Sequence, residues 1–369
     1  MNPVTEIVKT LKQHSPLSAV SKNKWLDKSE GCTRYVEKYI NTYPPFTFVD
    51  LYSAFGFYSL MHPDKDYFVY VQNPRIKVEA DGRIFLNYKD RNGQSYLAEN
   101  PVITAQAALC AFNQTKLATS NDKHQTDQLA IFYQLADQLC HVQTLDGKLP
   151  YLFDWFYYIK NDYLTSGWCS GMAQGQAISV WVRGVKSSGE KKYLDSALAA
   201  FHFMLKPVIE GGVLADLSSV SPALKHLNFV EEYPLTKSAV TLNGWMYALL
   251  GVYDLLQLLN LPEFNHLRER QIAEDFLAEQ VDLLCNLLPL FDIDGLSSYD
   301  LGYLIFQLPP NFDLGYHQTH IVQLRILANL LKQHQLLEWS EHWLNFYSVH
   351  SANTPGWPYQ TRFVATGLQ

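Results

Sequence analysis

The stretch Gln128–Cys140, QLAIFYQLADQLC, sets apolar residues at Leu129, Phe132, Leu135, Ala136 and Leu139, which is one face of a helix with 3.6 residues per turn. The same spacing recurs on both sides and predicts helices over 101–114, 126–142, 172–187, 191–206, 240–260, 265–289, 317–335 and 338–349, joined by segments rich in Gly, Pro or Asp. Repeated helical hairpins imply a mainly α fold: an α/α barrel, with an inner ring of helices around a cleft at one end. No short repeat period marks the hairpins.

Upstream the period shortens to two. YFVYVQNP (67–74) and RIKVEADGRIFLNYKD (75–90) alternate apolar and polar residues, with turns expected at Ala80-Asp81-Gly82 and Asn92-Gly93. A small β-hairpin region within 1–99 therefore precedes a helical domain over 100–369. NTYPPFTFVD (41–50) is a breaker-rich extended piece between two short helices.

A chain of 369 residues is long enough for one large or two unequal domains. Its 29 Lys+Arg against 36 Asp+Glu give a net charge of -7, and no dense basic run is present, so nucleic acid is not an expected partner. No stretch approaches the length of a membrane span, and the N-terminus lacks an export signal. Five scattered cysteines without metal spacing fit a reduced, cytoplasmic setting. The 23 Tyr and 8 Trp exceed what a core needs and suit a cleft where sugar rings lie on flat faces.

Four islands in the helical half are more polar or glycine-rich than helix joints require. Ser166–Arg183, SGWCSGMAQGQAISVWVR, offers Trp168, Gln174, Gln176 and Arg183 to a polar ligand, or is simply a capped helix start. EEYPLTKSAVTLNG places Glu231, Glu232 and Tyr233 ahead of Asn243. GLSSYDLGY holds Tyr299 and Asp300. NFDLGYHQTHIVQL puts Tyr316, His317 and His320 at a helix start; the histidine spacing admits a metal pair, but no third ligand accompanies it, so no metal is expected. Nucleotide loops, nucleophile elbows and zincin motifs are missing from the sequence, which demotes those chemistries.

Taken in order, ENPVITAQAAL, GWCSGMAQGQAIS, EEYPLTKSAVTLNGWMYALLGVYDL, SSYDL and GYHQTHIVQL resemble the C-terminal domain of the D-glucuronyl C5-epimerases, over roughly residues 100–348. The resemblance implies an α/α barrel whose N-terminal β element walls a polysaccharide cleft. It implies conversion of D-glucuronate to L-iduronate in a heparosan-like chain, without cofactor, and a homodimer formed through the helical domain. The C-terminal LLEWSEHWLNFY either serves that contact or closes the barrel.

By the same resemblance the catalytic residues fall on Tyr316, Glu232, Tyr233 and Tyr299, with Asn243 beside them; Gln174, Gln176, Trp168, His317 and Arg183 are further residues expected on the substrate. Tyr316 and Glu232 are assigned as the proton-transfer pair and Tyr233 and Tyr299 as holding the sugar, with roles exchangeable among the four. One departure stands out: where the family carries arginine after YDL, this chain has Gly302 followed by Tyr303. Two other functions stay open, a lyase acting by β-elimination on a uronic-acid polymer and a non-catalytic sugar-binding protein. An inverting glycosidase needs two opposed carboxyls, and only Glu232 has motif support.

Overall fold

Helices buried on every side alternate along the chain with helices buried on one side, and that alternation builds two layers. The computed structural model describes residues 3–13, 68, 71–90, 93–117, 122–157, 163–293, 295–307, 310–311 and 314–353. Within them, α2 (Pro101–Leu117), α4 (Gly171–Ser188), α6 (Leu242–Leu259) and α9 (Leu314–Leu331) have few exposed positions. Their partners α3 (Asp122–Val142), α5 (Lys191–Met204), α7 (Glu269–Phe291) and α10 (His334–Asn353) keep a solvent face. A helix apolar all round has no stable place except between others.

Each buried helix pairs with the amphipathic one that follows it, giving hairpins α2/α3, α4/α5, α6/α7 and α9/α10. The buried helices also pack on each other in sequence, α2 on α4, α4 on α6 and α6 on α9. This is the mainly helical, α/α arrangement that the periodicity predicts. The α4–α6 crossing is close because Gly175 and Gly251 meet there; a Cβ on either would fall on the backbone of the other helix. The expected helix ends agree with the observed ones to within a few residues.

Strands β1 (Ile76–Val78), β2 (Ile84–Lys89) and β3 (Ser95–Ala98) form one antiparallel sheet in sequence order, with Lys77 opposite Phe85 and Asn87 opposite Leu97. The expected strand over YFVYVQNP is not seen where it is described, because residues 71–74 are turn. Asn73 accounts for this locally: its side chain accepts the Arg75 N–H at 2.9 Å and its carbonyl the Ile76 N–H at 2.8 Å, bonds that close the chain on itself. NTYPPFTFVD lies outside the described residues. Short antiparallel pairs join the hairpins: β4 (Trp155–Phe156) with β5 (Tyr163–Leu164), β6 (Leu214–Asp216) with β7 (Asn228–Val230), and β8 (Asp292–Ile293) with β9 (Leu296–Ser297). A one-turn helix α8 (Gly302–Ile305) follows. Helix α1 (Pro3–Gln13) lies on α7, held by Thr5 to Asn286 at 3.0 Å and Lys12 to Asp292 at 3.2 Å.

No helix among the described residues is long and apolar enough to cross a membrane. Cys110, Cys140, Cys169 and Cys285 carry free thiols.

Candidate active site

All four buried helices begin at the same place. Asn100 caps α2, its side-chain oxygen taking the Val102 and Ile103 N–H groups at 3.0 and 3.2 Å. Ser170 caps α4 through the Ala173 N–H at 3.4 Å. These residues, with Val102, Met172, Asn243 of α6 and Tyr316 of α9, line one cleft of about 610 Å3 free space. Four helices therefore turn their N-terminal, positive dipole ends toward it.

Aromatic rings wall the cleft on one side. Tyr88 of β2 packs on Phe153 at 4.5 Å between ring centres, Phe153 on Trp168 at 6.2 Å, and Trp168 on Tyr233 at 6.1 Å. Tyr151 stacks on Trp168 at 3.9 Å and 12°. Ring orientation is fixed by hydrogen bonds at the edges: Asn100 donates to the Tyr88 hydroxyl at 2.6 Å and the Trp168 indole N–H to the Phe153 carbonyl at 3.0 Å. The lining thus offers apolar faces with polar rims, the chemistry a sugar ring presents in return.

Glu232 projects into this space from the segment after β7, only 7% exposed. Its carboxyl packs so tightly on Gly244 of α6 that a Cβ there would strike its oxygen. Tyr299 donates to Oε2 at 3.4 Å, and the Tyr233 hydroxyl bonds the same carboxyl. Burial drives the Glu232 carboxyl up to about 8, with the Glu231 and Asp300 charges adding to the rise and the two tyrosine hydrogen bonds opposing it. Burial likewise pushes Tyr233 and Tyr299 well above the usual phenol range, so both stay O–H donors. Tyr316 packs its ring on Tyr299 at 4.4 Å.

The predicted residues separate cleanly. Glu232, Tyr233, Tyr316, Asn243 and Trp168 share the cleft, and the Asn243 side-chain oxygen is buried without a partner among the described residues. Tyr299 stands one layer behind, outside the lining, against Glu232, Tyr233 and Tyr316.

Four substrate-binding expectations are corrected. Arg183 is 1% exposed and ion-paired to Asp254 at 2.8 Å between α4 and α6, a full helical turn and more beyond the cleft end of α4. Gln174 spends its amide on backbone, accepting the Leu149 N–H at 3.0 Å and donating to the Gly147 and Ala200 carbonyls at 2.9 and 3.3 Å. Gln176 is buried outside the lining. His317 turns away from the cleft, its Nδ1 accepting the Ser297 N–H at 3.0 Å.

Sequence reasoning missed Tyr88, Asn100, Tyr151, Phe153, Trp155, Ser170 and Met172 as lining. The density of rings in YLFDWFYY (151–158) was the available signal. It was passed over because each ring taken singly fits a core equally well.

A carboxyl that burial raises toward neutral pH thus stands beside phenols at the end of an aromatic-walled cleft, on a helical-hairpin frame. The family model for the D-glucuronyl C5-epimerase C-terminus matches residues 145–345, and the chain belongs to that family. A D-glucuronyl C5-epimerase of Caenorhabditis elegans is 32% identical over 219 residues, 58% of this chain and 34% of that protein. The chain thus spans about a third of the length of the curated relative it matches. A solved family 76 glycoside hydrolase from a bovine Bacteroides thetaiotaomicron strain overlays 76% of this chain and 55% of its own at TM-score 0.46 and 12% identity.

Proposed function

We propose that the protein is a polysaccharide uronate C5-epimerase, converting D-glucuronate to L-iduronate residues within a heparosan-like chain. The observation behind it is Glu232, held in the cleft by Tyr233 and Tyr299 and facing the same space as Tyr316. Inversion at C5 needs one group to take the proton from one face of the ring and another to return one to the opposite face. A carboxylate that protonates near 8 is a far stronger base than an exposed glutamate, and a neutral phenol is a matching acid.

In this scheme ionised Glu232 removes the C5 proton and the electron pair moves into the adjacent carboxylate, giving an enediolate. Tyr316 then protonates C5 from the other face. Tyr233, whose O–H is given to Glu232, presents its ring to the sugar, and Tyr299 positions Glu232 from behind. After the step Glu232 holds a proton and Tyr316 lacks one; exchange with solvent resets both.

The enediolate carries two negative charges, and no Lys or Arg lines the cleft among the described residues. The four helix N-termini supply positive potential there. Arg75 adds to it at the sheet end, its guanidinium 5.9 Å from the centre of the Tyr88 ring. These groups supply the role that an arginine at position 302 would have, since Gly302 here lies in a buried turn with its N–H on Asp300 at 2.8 Å.

Incubation with heparosan in deuterated water tests the proposal. Deuterium at C5 and new iduronate at constant chain length are expected. Unsaturated, ultraviolet-absorbing ends would replace the epimerase with a lyase, and binding without exchange would leave a sugar-binding protein.

A further inference from the structure

The acid pair in EEYP divides its labour. Glu231 is fully buried and lines no part of the cleft. Its Oε1 accepts the N–H groups of Glu232 at 2.8 Å, Tyr233 at 3.3 Å and Thr241 at 3.3 Å. Its Oε2 accepts the Val240 N–H at 3.0 Å and the Ser238 hydroxyl. One carboxylate thus ties together both ends of the segment 231–241.

That segment needs a clamp. Val240 sits at φ 59°, a left-handed conformation that a β-branched residue adopts only when its surroundings impose it. Its ends also carry the neighbouring strand of the site: the Leu242 N–H donates to the Tyr299 carbonyl at 3.0 Å and the Leu301 N–H to the Ala239 carbonyl at 2.8 Å. Glu232, Tyr233 and Tyr299 therefore share one scaffold, and Glu231 is the carboxylate that ties its two ends.

We propose that Glu231 is a positioning residue for the cleft chemistry, acting through the segment 231–241 that its carboxylate clamps and through the negative charge that its five donors hold beside Glu232. The inference rests on the assignment of Glu232 as the base. Groups acting on Glu232 come from every side: Glu231 and Tyr233 on its own segment, Tyr299 and Asp300 beyond β9, Tyr151 before β4 and Tyr247 on α6. Among these only Glu231 and Asp300 bring a like charge that raises Glu232, so removing the Glu231 charge lets Glu232 ionise at lower pH.

The test compares Glu231→Gln, Glu231→Asp and Ser238→Ala by circular dichroism, by kcat and KM on heparosan, and by carbon-13 carboxyl NMR titration of Glu232, which needs no substrate. Expected are a kcat lower by about tenfold or more in all three with KM nearly unchanged, because an ordered catalytic group and not substrate affinity is lost. In Glu231→Gln alone the Glu232 titration should move down by about half a pH unit or more, and the acidic limb of the rate profile with it. A folded Glu231→Gln with unmoved titration overturns the charge role. Unchanged kcat in Glu231→Asp and Ser238→Ala overturns the clamp, whether or not Glu231→Gln folds. Should wild-type protein exchange no C5 proton, the epimerase proposal fails, while the titration still decides what Glu231 does to Glu232.

Discussion

Two buried clusters of titratable side chains stand close together in this fold, and they differ in what they face. Around Glu232, a carboxyl and the phenols of Tyr233 and Tyr316 meet at the cleft with Tyr299 behind them, and the Asn243 oxygen in the lining is left without a partner among the described residues. Around Ser297, the hydroxyl lies between His317 Nδ1 at 2.9 Å and His320 Nδ1 at 2.7 Å, with both rings beside Trp343 and no opening to the cleft. Both clusters arise from polar islands that look equally chemical in the sequence. Access separates them: burial in the first raises a carboxyl that faces the cleft, while burial in the second keeps two sealed imidazoles neutral.

The sharpest way to break the comparison is to remove one group from each cluster. Glu232→Gln should cut deuterium incorporation at C5 by about 10²–10⁴-fold, the range for losing a general base. Comparable loss in His320→Asn would mean that the sealed cluster takes part in chemistry.

The phenols should grade by distance from the cleft. Tyr316→Phe is expected to lower kcat by about 10²-fold or more as the loss of a proton donor. Tyr299→Phe, acting through Glu232, should cost roughly tenfold less and shift the Glu232 titration upward, because a hydrogen bond that favours the carboxylate is gone. Equal losses with an unmoved titration would place Tyr299 on the substrate.

The pH dependences should run in opposite senses. Epimerisation requires ionised Glu232, so kcat/KM should climb with pH through about 8. Stability moves the other way over that window: the folded protein keeps a proton on Glu232 that the unfolded chain releases near 4.5, so stability falls as pH rises toward 8. Glu232→Gln should therefore melt higher than wild type at pH 8 and nearly alike at pH 4.

The smallest effect belongs to the sealed cluster. Burial holds His317 down at about 3 and His320 well below its usual 6.5, so the unfolded chain binds more protons once pH drops below 6.5. Stability contributed by the neutral rings is present above that value and lost as pH falls, and His320→Asn should flatten the acid side of the melting profile. Ser297→Ala should cost about 1–3 kcal/mol by orphaning a buried ring nitrogen, leaving kcat unaltered. A change in kcat there would reopen the division between the clusters.

Much of the frame was legible because helical periodicity is local. QLAIFYQLADQLC carries its own face, and the later helices announce themselves in the same way. The motif EEYP likewise marks the segment that reaches the cleft. What failed did so for a shared reason. Gln174, His317 and Arg183 are polar residues near motif residues in sequence, and proximity along the chain does not say which way a side chain turns.

The amino-acid sequence by itself determined the succession of helical hairpins, the small β region ahead of them, and the family to which residues 145–345 belong. Only the tertiary structure decided that Glu231 turns inward to tie a loop while Glu232 reaches the cleft, and that Tyr316 faces that cleft while His317 faces Trp343. Successive residues in an extended segment point to opposite sides, and successive residues on a helix are a hundred degrees apart. Which of two neighbours meets the ligand is therefore set by what packs behind each one, and those partners come from α4, α6 and α9, far apart in the chain.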